Sequence, residues 1–170
     1  MENSAYLSLG SNLGNRTKLL EAAIFELAGD NLRMEKFSSI YETEPQNFEN
    51  QPNFLNCVVL VKTSLNPFEL LAFCQGIERK LHKNKRTAFG PRRIDIDILT
   101  FNNAEVSTPT LTLPHPRIFE RNFVLTPLKE IAPEFEIPGQ HMDDLLQKCA
   151  GQGVSLFLPR NFLKIKNPGE

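Results

Sequence analysis

The sequence predicts an α+β fold, because patterns typical of strands and helices follow one another in the order βαββαβ between Ala5 and Leu99. The chain has 170 residues, of which 41% are hydrophobic, so one domain can bury about 70% of the surface that the unfolded chain exposes. The sequence contains neither an internal repeat nor a low-complexity tract nor a linker. We therefore expect a single domain over residues 1–170.

The first elements are a strand, a turn and a helix. Ala5–Leu9 is expected to form a strand that ends at the turn-forming segment Gly10–Gly14, followed by a helix over about Arg16–Ala28. The glycine segment also invites a phosphate-loop interpretation, but it lacks the Gly-Lys-Ser/Thr ending of a P-loop, so the plain turn is favoured. A strand with a weaker alternation is expected next, over Leu32–Thr43.

A polar loop precedes the most apolar strand of the chain. Thr43–Asn53 contains two prolines and no apolar run, which is typical of a surface loop that carries function. Phe54–Val61 is strongly apolar except for Asn56, which is either a satisfied strand-end amide or a ligand contact. The sequence leaves these two alternatives open.

The second helix has a clear start signal. Asn66 suits the N-cap, Pro67 suits the first helical position and Glu69 suits the third, so we expect a helix from Pro67 to about Leu81.

Two carboxylates alternate with apolar residues in the next strand. From Ile94 to Ile98 the strict alternation predicts one buried face, so Asp95 and Asp97 share the other face. Their Cα atoms are expected to lie roughly 6.6 Å apart, close enough for both carboxylates to bind one divalent ion or to bridge two. Oxygen ligands favour magnesium. The alternative is an edge strand whose acidic face is merely solvated.

Positive charge is concentrated beside this strand. The net charge is −1 and the isoelectric point is about 6.3, yet seven of the 19 Lys and Arg residues lie between Arg79 and Arg93. A local cluster of cations on an otherwise acidic protein favours a small anionic ligand over a long nucleic acid. Together with the two carboxylates, it indicates a metal-bound polyphosphate.

The last third of the chain gives fewer signals. Asn102-Asn103 is expected to form a hairpin turn into Ala104–Val106. His115 has a proline on each side, and a histidine held in this way suits a ligand contact, although a lone loop histidine is more often incidental. A short helix is expected near Met142–Cys149.

The cysteines and the N-terminus predict the compartment. Three cysteines without C-x-x-C spacing favour a reducing environment over a disulfide framework or a zinc site. The N-terminus shows no signal peptide, and no apolar stretch approaches 18 residues. We expect a cytoplasmic protein with no membrane partner.

Six sequence blocks together resemble the 6-hydroxymethyl-7,8-dihydropterin pyrophosphokinase family of folate biosynthesis. They follow one another without interruption between Ala5 and Pro133, and the fourth block and the last two are the most specific. The blocks are Leu9–Gly14, Tyr41–Pro45, Gln51–Asn56, Gly90–Leu99, Pro114–Arg117 and Arg121–Leu128.

The resemblance implies a ferredoxin-like α+β sandwich in which a mainly antiparallel sheet is flanked by helices. It also implies an enzyme whose single domain is a pyrophosphokinase, a diphosphotransferase that transfers the β,γ-diphosphate of ATP to the hydroxymethyl group of 6-hydroxymethyl-7,8-dihydropterin and releases AMP. ATP is then the co-substrate, and two Mg²⁺ ions are expected on Asp95 and Asp97.

The resemblance further implies roles for individual side chains, with Phe54 and Phe123 stacking on the pterin ring. The catalytic residues implied are Arg92, Asp95, Asp97, Arg121, Lys83 and Lys85. The pterin contacts implied are Thr43, Glu44, Pro45, Phe54, Asn56 and Phe123. The nucleotide contacts implied are Gln75, Glu78, Lys85, Arg92, Ile98, Thr112, His115 and Arg121. No general base is identified. A loose phosphoryl transition state needs mainly positioning and electrostatic stabilisation.

The sequence departs from the family pattern at a few of these positions. Lys83 and Lys85 stand where the family usually has arginines, and lysine keeps the charge but loses the bidentate fork. Phe89 replaces a tryptophan, Thr110 an arginine, and Phe54 a tyrosine.

Two other interpretations belong beside the stand-alone enzyme. A ferredoxin-like module can bind nucleic acid, but the acidic isoelectric point, the two carboxylates and the lack of an aromatic RNA-binding strand argue against a nucleic-acid partner. The chain can also be a catalytic domain fused to other folate-pathway enzymes, and the sequence leaves this open.

Overall fold

The computed structural model describes residues 2–44, 52–82, 94–137 and 139–160. Eight strands, four α-helices and a short 3-10 helix (Ile118–Glu120) lie within these ranges. The strands and helices in chain order are β1 (Asn3–Ser11), α1 (Arg16–Leu27), β2 (Leu32–Phe37), β3 (Ile40–Thr43), β4 (Phe54–Thr63), α2 (Pro67–Leu81), β5 (Asp95–Phe101), β6 (Val106–Ser107), β7 (Thr112–Leu113), α3 (Asn122–Ile131), α4 (Met142–Lys148) and β8 (Val154–Leu158).

Six strands form one sheet in the order β5-β1-β4-β3-β8, and β2 also pairs with β4. Every pair in this sheet is antiparallel. The length of β4 lets its first residues pair with β3 and its later residues pair with β2. The two short strands β6 and β7 form a separate antiparallel pair.

Helices cover both faces of the sheet. Alternate residues of β4 show this arrangement, because Cys57 and Val59 pack in the cluster that contains α1 and α2, whereas Val58 and Leu60 pack with α3 and α4. A strand that is buried on both faces reads as a continuous apolar run, as the sequence of β4 does. The predicted α+β fold, with a mainly antiparallel sheet flanked by helices, is therefore confirmed.

The capping signal at the start of α2 is confirmed in detail. The Asn66 side chain accepts hydrogen bonds from the backbone N–H groups of Phe68 (3.0 Å) and Glu69 (2.9 Å). The Glu69 carboxylate accepts one in return from the Asn66 N–H at 2.8 Å. This reciprocal capping box fixes where the helix begins.

The strand predicted over Leu32–Thr43 was wrong as one element, because it is interrupted at Ser38 and Ser39. The Ser38 hydroxyl accepts a hydrogen bond from the Val58 N–H at 2.9 Å, and the Ser39 N–H donates to both oxygens of the Glu130 carboxylate at 2.8 Å. Side-chain groups thus make hydrogen bonds at positions where a continuous strand would pair through its backbone.

The predicted hairpin after β5 was also wrong. Asn102 and Asn103 do form a turn, in which the Ala104 N–H donates to the Phe101 carbonyl at 2.9 Å. However, β6 then pairs with β7 rather than with β5. On the side of β5 that faces away from β1, the Leu99 carbonyl instead accepts a hydrogen bond from the His115 N–H at 2.8 Å.

Two elements near the C-terminus were not predicted. The sequence around α3 contains Pro127, which obscures the helical pattern, and β8 is a short strand with a mostly exposed face. The helix predicted near Met142–Cys149 is confirmed as α4. In the described part of the chain, none of the helices has the length and apolar character needed to cross a bilayer.

Candidate active site

The register of the sheet brings residues from three strands into one row. Asp95 of β5 is directly opposite Gly10 of β1, and Gly10 is directly opposite Asn56 of β4. Directly opposite residues of antiparallel strands project from the same face of a sheet. A carboxylate predicted to bind metal and an amide predicted to bind pterin therefore lie on the same face.

This face is the one that packs against α3. Asp97 is opposite Ser8, and Ser8 is opposite Val58, which belongs to the cluster around α3. Along β5 the apolar Ile96 and Ile98 are buried, Asp95 is half-buried and Asp97 is exposed. The alternation read from the sequence therefore places both carboxylates on the α3 face, where a bound ligand can reach them.

The middle position of the row has no space for a side chain. A Cβ atom added to Gly10 would lie 2.8 Å from Oδ1 of Asn56, closer than such atoms approach in proteins. The Asn56 side chain therefore extends across the glycine, and its Nδ2 donates a hydrogen bond to Oγ1 of Thr43 at 2.8 Å. Asn56 and Thr43 are buried, with 3% and 5% of their surface exposed. Asn56 is thus a satisfied amide, and it also stands in the row that leads to Asp95.

A first cleft of about 250 Å³ lies at the edge formed by β5. It brings together four residues that the sequence predicted for the metal or the nucleotide. These residues are Asp97, Ile98, Thr112 and His115.

His115 is held at this cleft by backbone contacts on both sides. Its N–H donates to the Leu99 carbonyl, and its Nδ1 accepts a hydrogen bond from the Arg117 N–H at 3.2 Å. Burial lowers the pKa of His115; the Asp97 carboxylate raises this pKa, whereas Arg121 and Arg117 lower it. When Nδ1 accepts, the proton of the neutral ring lies on Nε2, which can donate to an anion.

Arg121 is near both Asp97 of this cleft and the ring of Phe123. It immediately precedes α3, and burial lowers its pKa while the Asp97 carboxylate opposes the shift. The Cζ atom of its guanidinium lies 5.4 Å from the centroid of the Phe123 ring, a cation–π distance. One side chain therefore interacts with both Asp97 and the predicted pterin-stacking ring.

A second cleft, of about 150 Å³, lies beside Phe123. Thr43, Glu44 and Phe123, all predicted pterin contacts, line it together with the segment Gly151–Val154. Sequence reasoning missed this segment, because Gly-Gln-Gly-Val carries no motif and is distant in the chain from every block used. Phe54 is opposite Thr43 in the register and is half-buried on the same face.

Two predicted nucleotide contacts on α2 are placed differently from each other. Glu78 lies against β5, where its Oε1 accepts a hydrogen bond from the Ile96 N–H at 2.8 Å. It therefore holds the strand that carries the two carboxylates. Gln75 is exposed and lines neither of the two clefts.

The remaining predicted site residues, Pro45, Lys83, Lys85 and Arg92, lie outside the described residues. Within the described ranges, no group of three or more His, Cys, Asp or Glu residues could hold a metal ion. A larger cleft of about 760 Å³, lined by Tyr6, Phe119 and Phe135 among others, contains none of the predicted residues.

Comparison with protein families and relatives gives a consistent result. The sequence pattern of the family described as 7,8-dihydro-6-hydroxymethylpterin-pyrophosphokinase (HPPK) matches residues 6–133. The 2-amino-4-hydroxy-6-hydroxymethyldihydropteridine pyrophosphokinase of Bacillus subtilis is 48% identical over 137 residues, which are 80% of this chain and 82% of that protein. The protein of the same name from Aquifex aeolicus is 44% identical over 130 residues, 76% of this chain and 81% of that protein.

Longer relatives also match. The folic acid synthesis protein Fol1 of Schizosaccharomyces pombe is 37% identical over 166 residues, which are 96% of this chain but only 23% of that protein. Among solved structures, the wild-type HPPK-DHPS of Plasmodium falciparum has a TM-score of 0.69 at 19% identity and covers 87% of this chain, which spans 43% of that structure. At this identity the structural match supports the fold.

Proposed function

Because the chain belongs to the 7,8-dihydro-6-hydroxymethylpterin-pyrophosphokinase family and is an enzyme of folate biosynthesis, we propose that its chemistry takes place on the sheet face that carries Asp95 and Asp97. The reaction transfers the β,γ-diphosphate of ATP to 6-hydroxymethyl-7,8-dihydropterin. The hydroxymethyl oxygen bonds to the β-phosphorus, and the bond from that phosphorus to the oxygen bridging the α-phosphate breaks. AMP leaves, and the hydroxyl proton is released.

The observation that supports this assignment most strongly is the position of Arg121, which lies in the electrostatic field of Asp97 and contacts the Phe123 ring. Its charge interacts with Asp97, while its guanidinium covers the Phe123 ring at 5.4 Å. A polyphosphate bound beside Asp97 and a flat ring bound beside Phe123 would therefore be neighbours. Transfer between two bound substrates requires this adjacency, because much of the rate enhancement comes from positioning.

Magnesium fits the donor set on β5. This ion is usually held by one or two carboxylates, with substrate phosphates and water as its other ligands. Asp95 and Asp97 supply such a pair on one accessible face. We propose that they hold two Mg²⁺ ions with ATP, and bound magnesium would neutralise charge on the phosphates.

The side chains around the carboxylates would act on the phosphates directly. Arg121 stays protonated despite its lowered pKa and can neutralise charge that develops on the transferring group. The Nε2–H of neutral His115 can donate a hydrogen bond to a phosphate oxygen. This hydrogen bond does not transfer a proton to the phosphate. Thr112 and Ile98 form the adjacent wall of the first cleft.

The pterin would be held mainly by aromatic rings and by the polar groups of Asn56 and Thr43. Phe123 offers a ring face for stacking, and Phe54 is available on the same side of the sheet. Asn56 and Thr43, already hydrogen-bonded to each other, can orient their remaining polar atoms toward the amide edge of the ring. The hydroxymethyl group would then face Arg121.

The nucleic-acid alternative is not supported by the relatives, which carry pyrophosphokinase or folate-synthesis names. Fol1 and HPPK-DHPS are longer than this chain, and we propose that its domain is of a kind that also functions within fused folate-pathway proteins. Cys57, Cys74 and Cys149 are buried thiols, which suits the reducing cytoplasm that we propose as its location.

The test is a product analysis with ATP, Mg²⁺ and 6-hydroxymethyl-7,8-dihydropterin. Diphosphate transfer forms AMP in equal amount to the pterin diphosphate, whereas a single-phosphate kinase forms ADP. Asp97→Asn should abolish most of the AMP formation, while Asp144→Asn, an exposed carboxylate at the start of α4, serves as the matched control. ADP as the product, or equal rates in the two variants, would contradict the proposal.

A further inference from the structure

The second cleft is walled by a segment that lies beyond the family match. The family pattern ends at residue 133, but Gly151–Val154 lines the cleft opposite Thr43 and Phe123. This segment connects α4 to β8, and β8 pairs with β3 so that Val154 is opposite Thr43. The sheet therefore fixes one end of the segment beside the predicted pterin contacts.

Gln152 connects this segment to the start of α3 through three hydrogen bonds. Its side-chain Oε1 accepts from the Asn122 N–H at 3.0 Å, and its Nε2 donates to the Glu120 carbonyl at 2.9 Å. Its backbone carbonyl accepts from Nδ2 of Asn122 at 2.9 Å. The side chain and backbone of one residue thus bind both neighbours of Arg121.

These bonds replace a cap that the sequence of α3 does not supply. Arg121 occupies the N-cap position without a side-chain hydrogen bond to the helix, so the first N–H groups of α3 depend on other partners. Gln152 satisfies the first of them, at Asn122. The start of α3 is where Arg121 and Phe123 project, so its position determines where both side chains lie.

The segment that carries Gln152 is itself anchored. The Gln152 N–H donates to the Cys149 carbonyl at 2.9 Å, and Cys149 is buried at the end of α4. Gln152 therefore connects the start of α3 to a segment whose position is fixed by α4 and β8.

We propose that Gln152 is a positioning residue for the transfer reaction, which holds Arg121 and Phe123 in the relative arrangement that places the pterin hydroxyl beside the diphosphate. This inference rests on the proposed function of the site. It concerns Arg121 and Phe123 and not the two carboxylates, because Asp95 and Asp97 are fixed by β1 and Glu78 and do not depend on α3.

The test compares Gln152→Met with Gln147→Met. Methionine keeps the side-chain length and removes both hydrogen bonds made by the amide, and Gln147 is an exposed glutamine of α4 that serves as the matched control. Gln152→Met should weaken pterin binding about tenfold, the expected effect of one to two lost hydrogen bonds, and should lower kcat as well. Affinity for a non-hydrolysable ATP analogue with Mg²⁺ should change less, and Gln147→Met should match the wild type.

A stability control separates positioning from a purely structural role. Thr63→Val removes two hydrogen bonds of a buried hydroxyl at the opposite end of β4, one to the Asn31 carbonyl and one from the Leu65 N–H. It should lower Tm without changing pterin affinity. If Gln152→Met lowers Tm in the same way and keeps wild-type pterin affinity and kcat, the inference is overturned.

A second variant keeps the test informative if Gln152→Met folds poorly. Gln152→Glu retains an acceptor for the Asn122 N–H and loses the donor to the Glu120 carbonyl, so its pterin affinity should lie between those of the wild type and Gln152→Met. Wild-type affinity in Gln152→Glu would overturn the inference. Absence of AMP formation by the wild type would instead reject the proposed function, so the two failures are distinguishable.

Discussion

The two halves of the site are built in different ways. On the proposed nucleotide side, Asp97, His115 and Arg121 are charged or titratable groups, and Asp97 acts electrostatically on both of the others. On the pterin side, Asn56 and Thr43 are buried neutral groups joined by a hydrogen bond across the sheet. In the proposed function, an ion and a polyanion complete the first half, whereas the hydrogen bond of the second half is already formed.

The largest expected effect comes from the charged half. Asp95→Ala and Asp97→Ala should each lower turnover by at least about a hundredfold, the scale of losing one preorganised electrostatic contact. The fold should remain intact, since Asp97 is exposed and Asp95 is half-buried. AMP formation and thermal unfolding measured on the same samples check this prediction. Near-normal turnover in either variant would remove the basis for the two-carboxylate metal site.

The next effect tests the preassembled half. Gly10→Ala should destabilise the protein by about 1–3 kcal/mol, the usual effect of overpacking, because the new Cβ would lie 2.8 Å from Oδ1 of Asn56. Pterin affinity should fall with it, since Asn56 must move. Gly29→Ala is the matched control, because an added Cβ there meets nothing within 4 Å. Urea unfolding that gives equal stabilities for the two variants would show that Asn56 is free to move.

A smaller effect concerns stacking. Phe123→Ala should weaken pterin binding by roughly 0.5–1.5 kcal/mol beyond the loss of buried area. Phe54→Tyr should have little effect, since the ring is kept. Titration followed by pterin fluorescence measures both. A larger loss of pterin affinity in Phe54→Tyr than in Phe123→Ala would contradict stacking of the pterin ring on Phe123.

The smallest effect is a change in titration. Burial should hold the pKa of His115 below its ordinary value, and Asp97→Asn should lower this pKa further, since the Asp97 carboxylate favours the imidazolium. NMR titration of the imidazole in the metal-free protein gives both values. An unchanged or raised pKa in Asp97→Asn would mean that the two groups do not interact.

The sequence predicted the parts of this structure that local patterns determine. The alternation around Asp95 and Asp97 and the capping box of Asn66 follow from period and spacing alone, and both occur as expected. The family resemblance identified Phe123 and His115 as candidates. The clefts then bring several predicted residues together, although their roles remain predictions.

The rest depends on contacts between distant segments. The break between β2 and β3 depends on the hydrogen bonds from the Ser39 N–H to Glu130 of α3. The cleft wall at Gln152 requires α4 and β8 to be in place. The requirement for glycine at position 10 depends on Asn56, which is 46 positions further along the chain. Such pairings leave no periodic signal in a single sequence.

The central claim is that two differently built halves of one sheet face bind two different substrates. Calorimetric titration of Asp97→Ala tests it most directly, with 6-hydroxymethylpterin in one experiment and an ATP analogue with Mg²⁺ in the other. The structure predicts a strong loss of nucleotide affinity and nearly unchanged pterin affinity, because Asn56, Thr43 and Phe123 are held without Asp97. Equal losses for both ligands would contradict the division of the site into two halves.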